Sequence, residues 1–146
     1  MTGIHVGLGV GLLVTSAAAG SWGAWRWYRV EPSALFWRLI RVSQAFVALQ
    51  ALQGGLLLLL GRDADGLHLL YGILPLAIHF LAEQLRVASA ETVLDARGLE
   101  NAAAVGRLPE AEQRSVVLSI VRREMGVMTA AALVVLFLGL RAAGWL

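Results

Sequence analysis

LIRVSQAFVALQALQGGLLLLLGRDADGLHLLYGILPLAIHFLAEQL, residues 39–85, is two apolar runs joined by one short polar turn. Leu39 to Leu60 and Leu67 to Leu85 each come near the ~20 residues that a helix needs to cross ~30 Å of hydrocarbon. Between them, Gly61-Arg62-Asp63-Ala64-Asp65-Gly66 has room only to reverse the chain. Outward from this hairpin, Ile4 to Gly23 and Met125 to Leu140 repeat the pattern. The expected fold class is therefore all-α integral membrane, one domain over residues 1–146 with four transmembrane helices at about 4–23, 39–60, 67–85 and 125–140. Short sequential connections favour antiparallel neighbours in an up-down bundle.

Charge orients the spans. All of the twelve cationic residues except Arg62 and Arg141 lie in the two connections on one side. Arg26, Arg29, Arg38 and Arg41 follow the first segment; Arg86, Arg97, Arg107, Arg114, Arg122 and Arg123 follow the third. Positive-inside bias places those connections in the cytoplasm of a multi-pass cell (plasma) membrane protein and both termini outside. Trp22, Trp25, Trp27 and Trp37 cluster at the proposed inner boundary and Trp145 sits at the outer one, where amphipathic rings favour headgroups. The first segment has no cation before it and a cationic cluster after it, the reverse of a secretory signal, so it reads as a retained helix.

An apolar content of 58% and a mean hydropathy of +0.71 exceed what a soluble domain of this size carries. The arginines border apolar spans and alternate with Glu83, Glu91, Asp95, Glu100, Glu110 and Glu112, so no basic face for nucleic acid is expected. Absence of cysteine excludes thiol redox chemistry and thiolate metal sites, and absence of lysine excludes Schiff-base chemistry.

Nothing between Glu83 and Asp95 breaks a helix, so the third one is expected to continue beyond the bilayer to Arg97-Gly98. A new helix starts near Pro109-Glu110, and Val116, Val117, Ile120 and Val121 recur at helical spacing opposite Arg114, Arg122 and Arg123. The result is a protruding cytoplasmic hairpin, either a solvated pair of helix extensions or a docking surface.

Gly3, Gly7, Gly11, Thr15, Ala19 and Gly23 recur every fourth residue, a small-residue ridge that lets another backbone approach closely. It serves intramolecular helix packing, a homodimer, or docking to a larger membrane complex. Gly126 and Ala130 offer a weaker version on the fourth helix.

Candidate chemistry lies in the third helix. His68, Gly72, Pro75, His79, Glu83 and Arg86 form one stripe at 3.6 residues per turn, with Tyr71 beside it. Ionisable groups facing lipid cost at least ~2.5 kcal/mol each, so the stripe is expected to face the interior. His79 and Glu83 form an intramembrane polar pair, with a hydrogen bond along the helix or a partner among Arg41, Arg122 and Arg123. His68 lies near the outer surface, roughly 16 Å from His79 along the axis, so the two cannot share a metal. His5, at about the depth of His68, is the available second ligand for a b-type haem, or for a small His/Asp metal site using Asp63 or Asp65. The plainer alternatives are a frayed His5 and a His68 that hydrogen-bonds the outer turn.

Gln50 and Gln53, like Arg41 and Gln44, add polarity to the second helix, either as interhelical glue or as contacts for quinone carbonyls or haem propionates. The run from Gln50 and Gln53-Gly54-Gly55 through Gly61 to Asp65-Gly66-Leu67-His68 and Tyr71-Gly72 resembles one half of the haem A synthase type of membrane protein, over about a third of the chain. That resemblance implies a four-helix bundle and His68 as an axial haem ligand. It departs from the pattern in lacking a second histidine in the matching helix, and with one half present it implies no haem modification. The Asp65-Gly66-Leu67-His68 and Tyr71-Gly72 run is also similar to one in small actinobacterial membrane proteins, a likeness that implies no activity.

The first helix lacks the embedded acid of a minimal drug/proton exchanger, and no second carboxylate or serine is spaced to form a hydrolytic constellation with His79 and Glu83. The expectation is a non-catalytic accessory, structural or assembly protein of the membrane. The alternative is a haem b- or quinone-interacting redox subunit with His68, His5, His79, Tyr71 and Gln53 as candidate cofactor contacts, and an enzyme is expected only in that case.

Overall fold

A computed structural model describes residues 2–146, and all regular structure among them is helical. The helices are α1 (Thr2–Arg29), α2 (Ala34–Leu59), α3 (Gly66–Asp95), the single-turn α4 (Ala102–Val105) and α5 (Glu110–Ala142). Four of them are long and apolar enough to cross a membrane. Each outruns its apolar stretch: α1 runs on to Arg29, α2 begins at Ala34, and the fourth span is the second part of a helix that starts at Glu110. Apolarity stops where the surroundings change, whereas a helix stops only where its hydrogen bonding is interrupted.

The interruptions are local. α1 ends at Val30, which takes the left-handed conformation (φ 51°) as its N–H and that of Glu31 return to the carbonyls of Trp27 and Arg26. Ser33 then caps α2, accepting from Phe36 N at 3.2 Å and from the Trp22 indole at 2.9 Å. Asp65 caps α3 through Leu67 N at 3.1 Å, and Gly98, with φ 65°, closes the turn after it. Asn101 caps α4, a turn with no apolar periodicity to announce it.

α5 is the hub, with its largest contacts to α3 and α1; α1 also packs on α2, while α2 and α3 touch far less. Consecutive helices are antiparallel, so both termini share one end, and the α3–α5 hairpin and the α1–α2 turn share the other. Phe36, Ile40, Met125 and Met128 fill the interior near the hairpin end with Ala19 and Ala132; Leu12, Val47 and Val135 form a smaller layer toward the termini. Between them the hydroxyls of Ser16 and Ser43 hydrogen-bond at 2.8 Å, fully buried. The outside is also rich in apolar side chains: Leu52, Ile73, Phe80 and Phe137 are all exposed.

The small-residue ridge divides. Gly11 meets Phe46, Ala19 is fully buried, and Gly23 is wedged between Phe36 and Thr129, but Gly3 and Gly7 have nothing within 4 Å of a Cβ. Thr15 bonds back to the carbonyls of Gly11 and Leu12 at 2.7 and 3.2 Å. A spacing of four drifts by about 40° per step, hence roughly 200° from Gly3 to Gly23, so one neighbour cannot cover the whole ridge. Gly126 admits the Trp27 indole whereas Ala130 is exposed, so that pair is not a common surface. Gly20 against Leu133 and Gly139 against Leu13 are close approaches that spacing did not mark.

Candidate functional site

At the termini end, His5 lies in the first turns of α1. Its Nδ1 lies 2.6 Å from Gln53 Oε1, and with the proton on Nδ1 the ring donates to that amide. The Gln50 amide nitrogen is 3.1 Å from Nε2 and 3.4 Å from Nδ1, so it approaches over the Cε1 side of the ring. Gly54 makes room there, its missing Cβ falling 3.9 Å from His5 Cε1. His68 comes from the first turn of α3, where it is exposed, and its Nδ1 donates to the Ala142 carbonyl at 3.2 Å. The two imidazoles stand 5.9 Å apart between centres, with planes inclined by 49°.

The pair stands at the head of a cavity of about 410 Å³ whose walls come from α1, α2, α3 and the end of α5. Most of the lining is aliphatic, with Tyr71, Pro75 and Trp145 among its larger members. Pro75 has no N–H to give the Tyr71 carbonyl, which loosens α3 beside the cavity. Gln50 Oε1 is buried with no hydrogen-bond partner among the described residues. An acceptor in that state calls for a donor.

A b-type haem can be tested against this donor set. Two nitrogens bound to one metal at about 2.0 Å hold their ring centres roughly 6 Å apart. The 5.9 Å separation matches and each Nδ1 lies beside an oxygen, but the Gln50 amide nitrogen stands 3.1 Å from His5 Nε2, so that nitrogen is open to a metal only when Gln50 turns away. The pair thus agrees with a two-histidine ligand set in spacing alone. The His/Asp metal site is not assembled: Asp65 is used as a cap, and no group of three or more potential ligands converges among the described residues.

Nearer the hairpin end, Glu83 is the centre of a second constellation. Arg41 Nη1 and Gln44 Nε2 donate to its Oε1 at 2.6 and 2.8 Å, and Arg86 Nε donates to Oε2 at 3.0 Å. Arg86 reaches on to Glu124 of α5 at 3.5 Å, over the face of Trp37 at 5.7 Å. Of the expected partners only Arg41 is used; Arg122 and Arg123 are exposed on another face of α5, with Glu124 at the level of Glu83.

The His79–Glu83 hydrogen bond is not formed. His79 is 5% exposed and neither ring nitrogen has a partner among the described residues. Glu83 is rotated by about 40° from His79 along the helix, enough for α2 to draw the carboxylate away. The stripe on α3 thus runs from exposed His68 through buried Pro75 and His79 to half-buried Glu83 and Arg86.

Four participants were not marked by the sequence. Glu124 has no polar neighbour at helical spacing inside an apolar span, Ser16 and Ser43 are small enough to pass as ridge residues, and Trp145 reads as an interfacial anchor until its cavity is seen. Gln44, three residues from Arg41, carried a signal of shared function but no indication of which acid it would meet. Comparison with protein-family models, curated proteins and solved structures finds no match.

Proposed function

We propose that this is a multi-pass plasma membrane protein, an up-down bundle with both termini outside, which serves an accessory role by binding a lipid-soluble ring compound of the quinone class. The many exposed leucine, isoleucine and phenylalanine side chains suit lipid as the solvent, and the buried Ser16–Ser43 hydrogen bond suits a helix contact within it. The observation that carries the binding reading is the buried, unpartnered Gln50 Oε1 beside His5 in the 410 Å³ apolar cavity. Pockets of this kind combine aliphatic walls with a few polar groups that fix orientation. A quinone and its quinol supply both acceptors and donors, matching the Tyr71 hydroxyl and the Gln50 oxygen.

Titration of the purified protein with a short-chain quinone tests this. The quencher is expected to remove fluorescence saturably from Trp145, and Trp145→Phe to abolish that component. Gln50→Leu should weaken the affinity by about tenfold, the effect of one hydrogen bond of ~1.4 kcal/mol. Absence of saturable quenching overturns the reading.

A second reading rests on the 5.9 Å histidine pair: with Gln50 turned away from His5 Nε2, His5 and His68 would hold haem b, which would supply one-electron transfer. A Soret band with redox-sensitive visible bands in the purified protein, lost in His68→Ala, would select it over the quinone.

Orientation follows from the arginines. An extracytoplasmic reporter is expected to be active when fused after Leu146 and silent when inserted at Gly106; the opposite pattern inverts the topology. The uncovered Gly3 and Gly7, beside exposed Ile4 and Val6, form the surface through which a second copy or a larger membrane complex would join.

A further inference from the structure

Cations at the hairpin end are treated in two ways. Most of those near α1 and α2 are matched: Glu31 takes Arg26 at 2.6 Å and Arg29 at 3.3 Å, and Glu83 takes Arg41 and Arg86. Arg97, Arg122 and Arg123 are not. They line one groove of about 540 Å³ where the end of α1 meets α3 and α5, and no acidic side chain lines it. Among the described residues Arg122 and Arg123 have no ion pair, and Arg97 donates only to the hydroxyls of Ser115 and Ser119, at 3.1 and 3.2 Å. Hydroxyls hold the guanidinium in place without neutralising it.

The groove also has a polarity gradient. Arg97, Arg122, Arg123 and Ser119 occupy its outer part, while Val93, Gly126 and Val127 carry it toward the apolar body of the bundle. Trp27 forms a wall against Gly126. We propose that this groove binds an anionic phospholipid, with the phosphate on Arg97, Arg122 and Arg123 and the ester and upper acyl region along Trp27, Gly126 and Val127. Guanidinium groups pair with phosphate oxygens by two parallel N–H···O bonds, and a free anion has no use for the apolar continuation. Basic pockets between helices on the cytoplasmic side are suited to such headgroups, which positive-inside topology brings to this end. The proposal is independent of the cavity at the termini.

Delipidated full-length protein titrated with phosphatidylglycerol or phosphatidylcholine in native mass spectrometry tests it. Each arginine near an anionic surface gives about 1 kcal/mol, so three give a preference for phosphatidylglycerol on the order of 100-fold. Arg97→Gln, Arg122→Gln and Arg123→Gln together should remove most of that preference. Arg38→Gln with Arg107→Gln, at the same end but outside the groove, should leave it. Equal binding of the two lipids, a triple variant that keeps the preference, or loss in the control variant overturns the proposal. So does inorganic phosphate displacing the lipid at equal concentration, which would make a free anion the occupant. If the triple variant does not fold, a headgroup-photoreactive phosphatidylglycerol on the unaltered protein decides. Labelling of Trp27 and residues 119–127 supports the site, and labelling spread over the other helices overturns it.

Discussion

Gly23→Ala is expected to destabilise the protein by about 1–3 kcal/mol, the cost of forcing a methyl group into an interior that is already full. The added Cβ would overlap the Phe36 ring and the Thr129 hydroxyl at once. Phe36 is fully buried and meets Trp37 edge-on at 5.1 Å, and Thr129 is 4% exposed, so neither has space to retreat into. α1 must then move away from α2 and α5 together. Gly7→Ala, on the same ridge, should act in the opposite direction, because nothing lies within 4 Å and alanine favours the helix by up to about 1 kcal/mol. Thermal unfolding of both variants in one detergent checks the pair. Gly23→Ala as stable as the parent would show that α1 does not seat as described, whatever Gly7→Ala does.

Glu83→Leu has the second large effect, a loss of about 2–3 kcal/mol. Breaking a fully buried ion pair costs 3–5 kcal/mol, and the value here is reduced because Arg41 is 54% exposed while Glu83 and Arg86 are 24% and 27% exposed. Leucine would leave the Arg41, Gln44 and Arg86 donors without their common acceptor. Glu83→Gln keeps the shape and one acceptor oxygen, so about 1 kcal/mol is expected. The cluster is also the polar tie between α2 and α3, the adjacent pair with the least contact, so its loss should loosen the wall of the cavity that the same two helices share. Arg41→Leu combined with Glu83→Leu should cost less than the two single changes added together, since each removes the other's unpaired partner. Glu83→Leu unfolding at the parent temperature would remove any structural role for the carboxylate.

Much of the local architecture was legible in residues 39–85 and their flanks. Four apolar stretches of spanning length, the Gly61–Gly66 reversal, a third helix running on to the Arg97-Gly98 stop and a new one from Pro109-Glu110 all appear where spacing and stop signals put them. Helical hydrogen bonds join residues four apart, so composition and breakers within a few turns decide where a helix begins and ends. The approach of His5 and His68 was legible in part, because α1 and α3 run the same way in an up-down bundle and each histidine is near the start of its helix. Their 5.9 Å separation and the Gln53 and Ala142 anchors were not.

What the tertiary structure alone decided is which side chain faces which across a helix interface. Spacing placed Glu83 below His79, yet α2 supplies the donors that take the carboxylate, and His79 is left with none. Spacing drew one ridge from Gly3 to Gly23, yet crossing helices cover only the part beginning at Gly11. Length, apolarity and charge asymmetry are sums over one segment and can be read from it; a contact between segments depends on crossing angle, rotation and rotamer, which are set jointly by all four helices as they close.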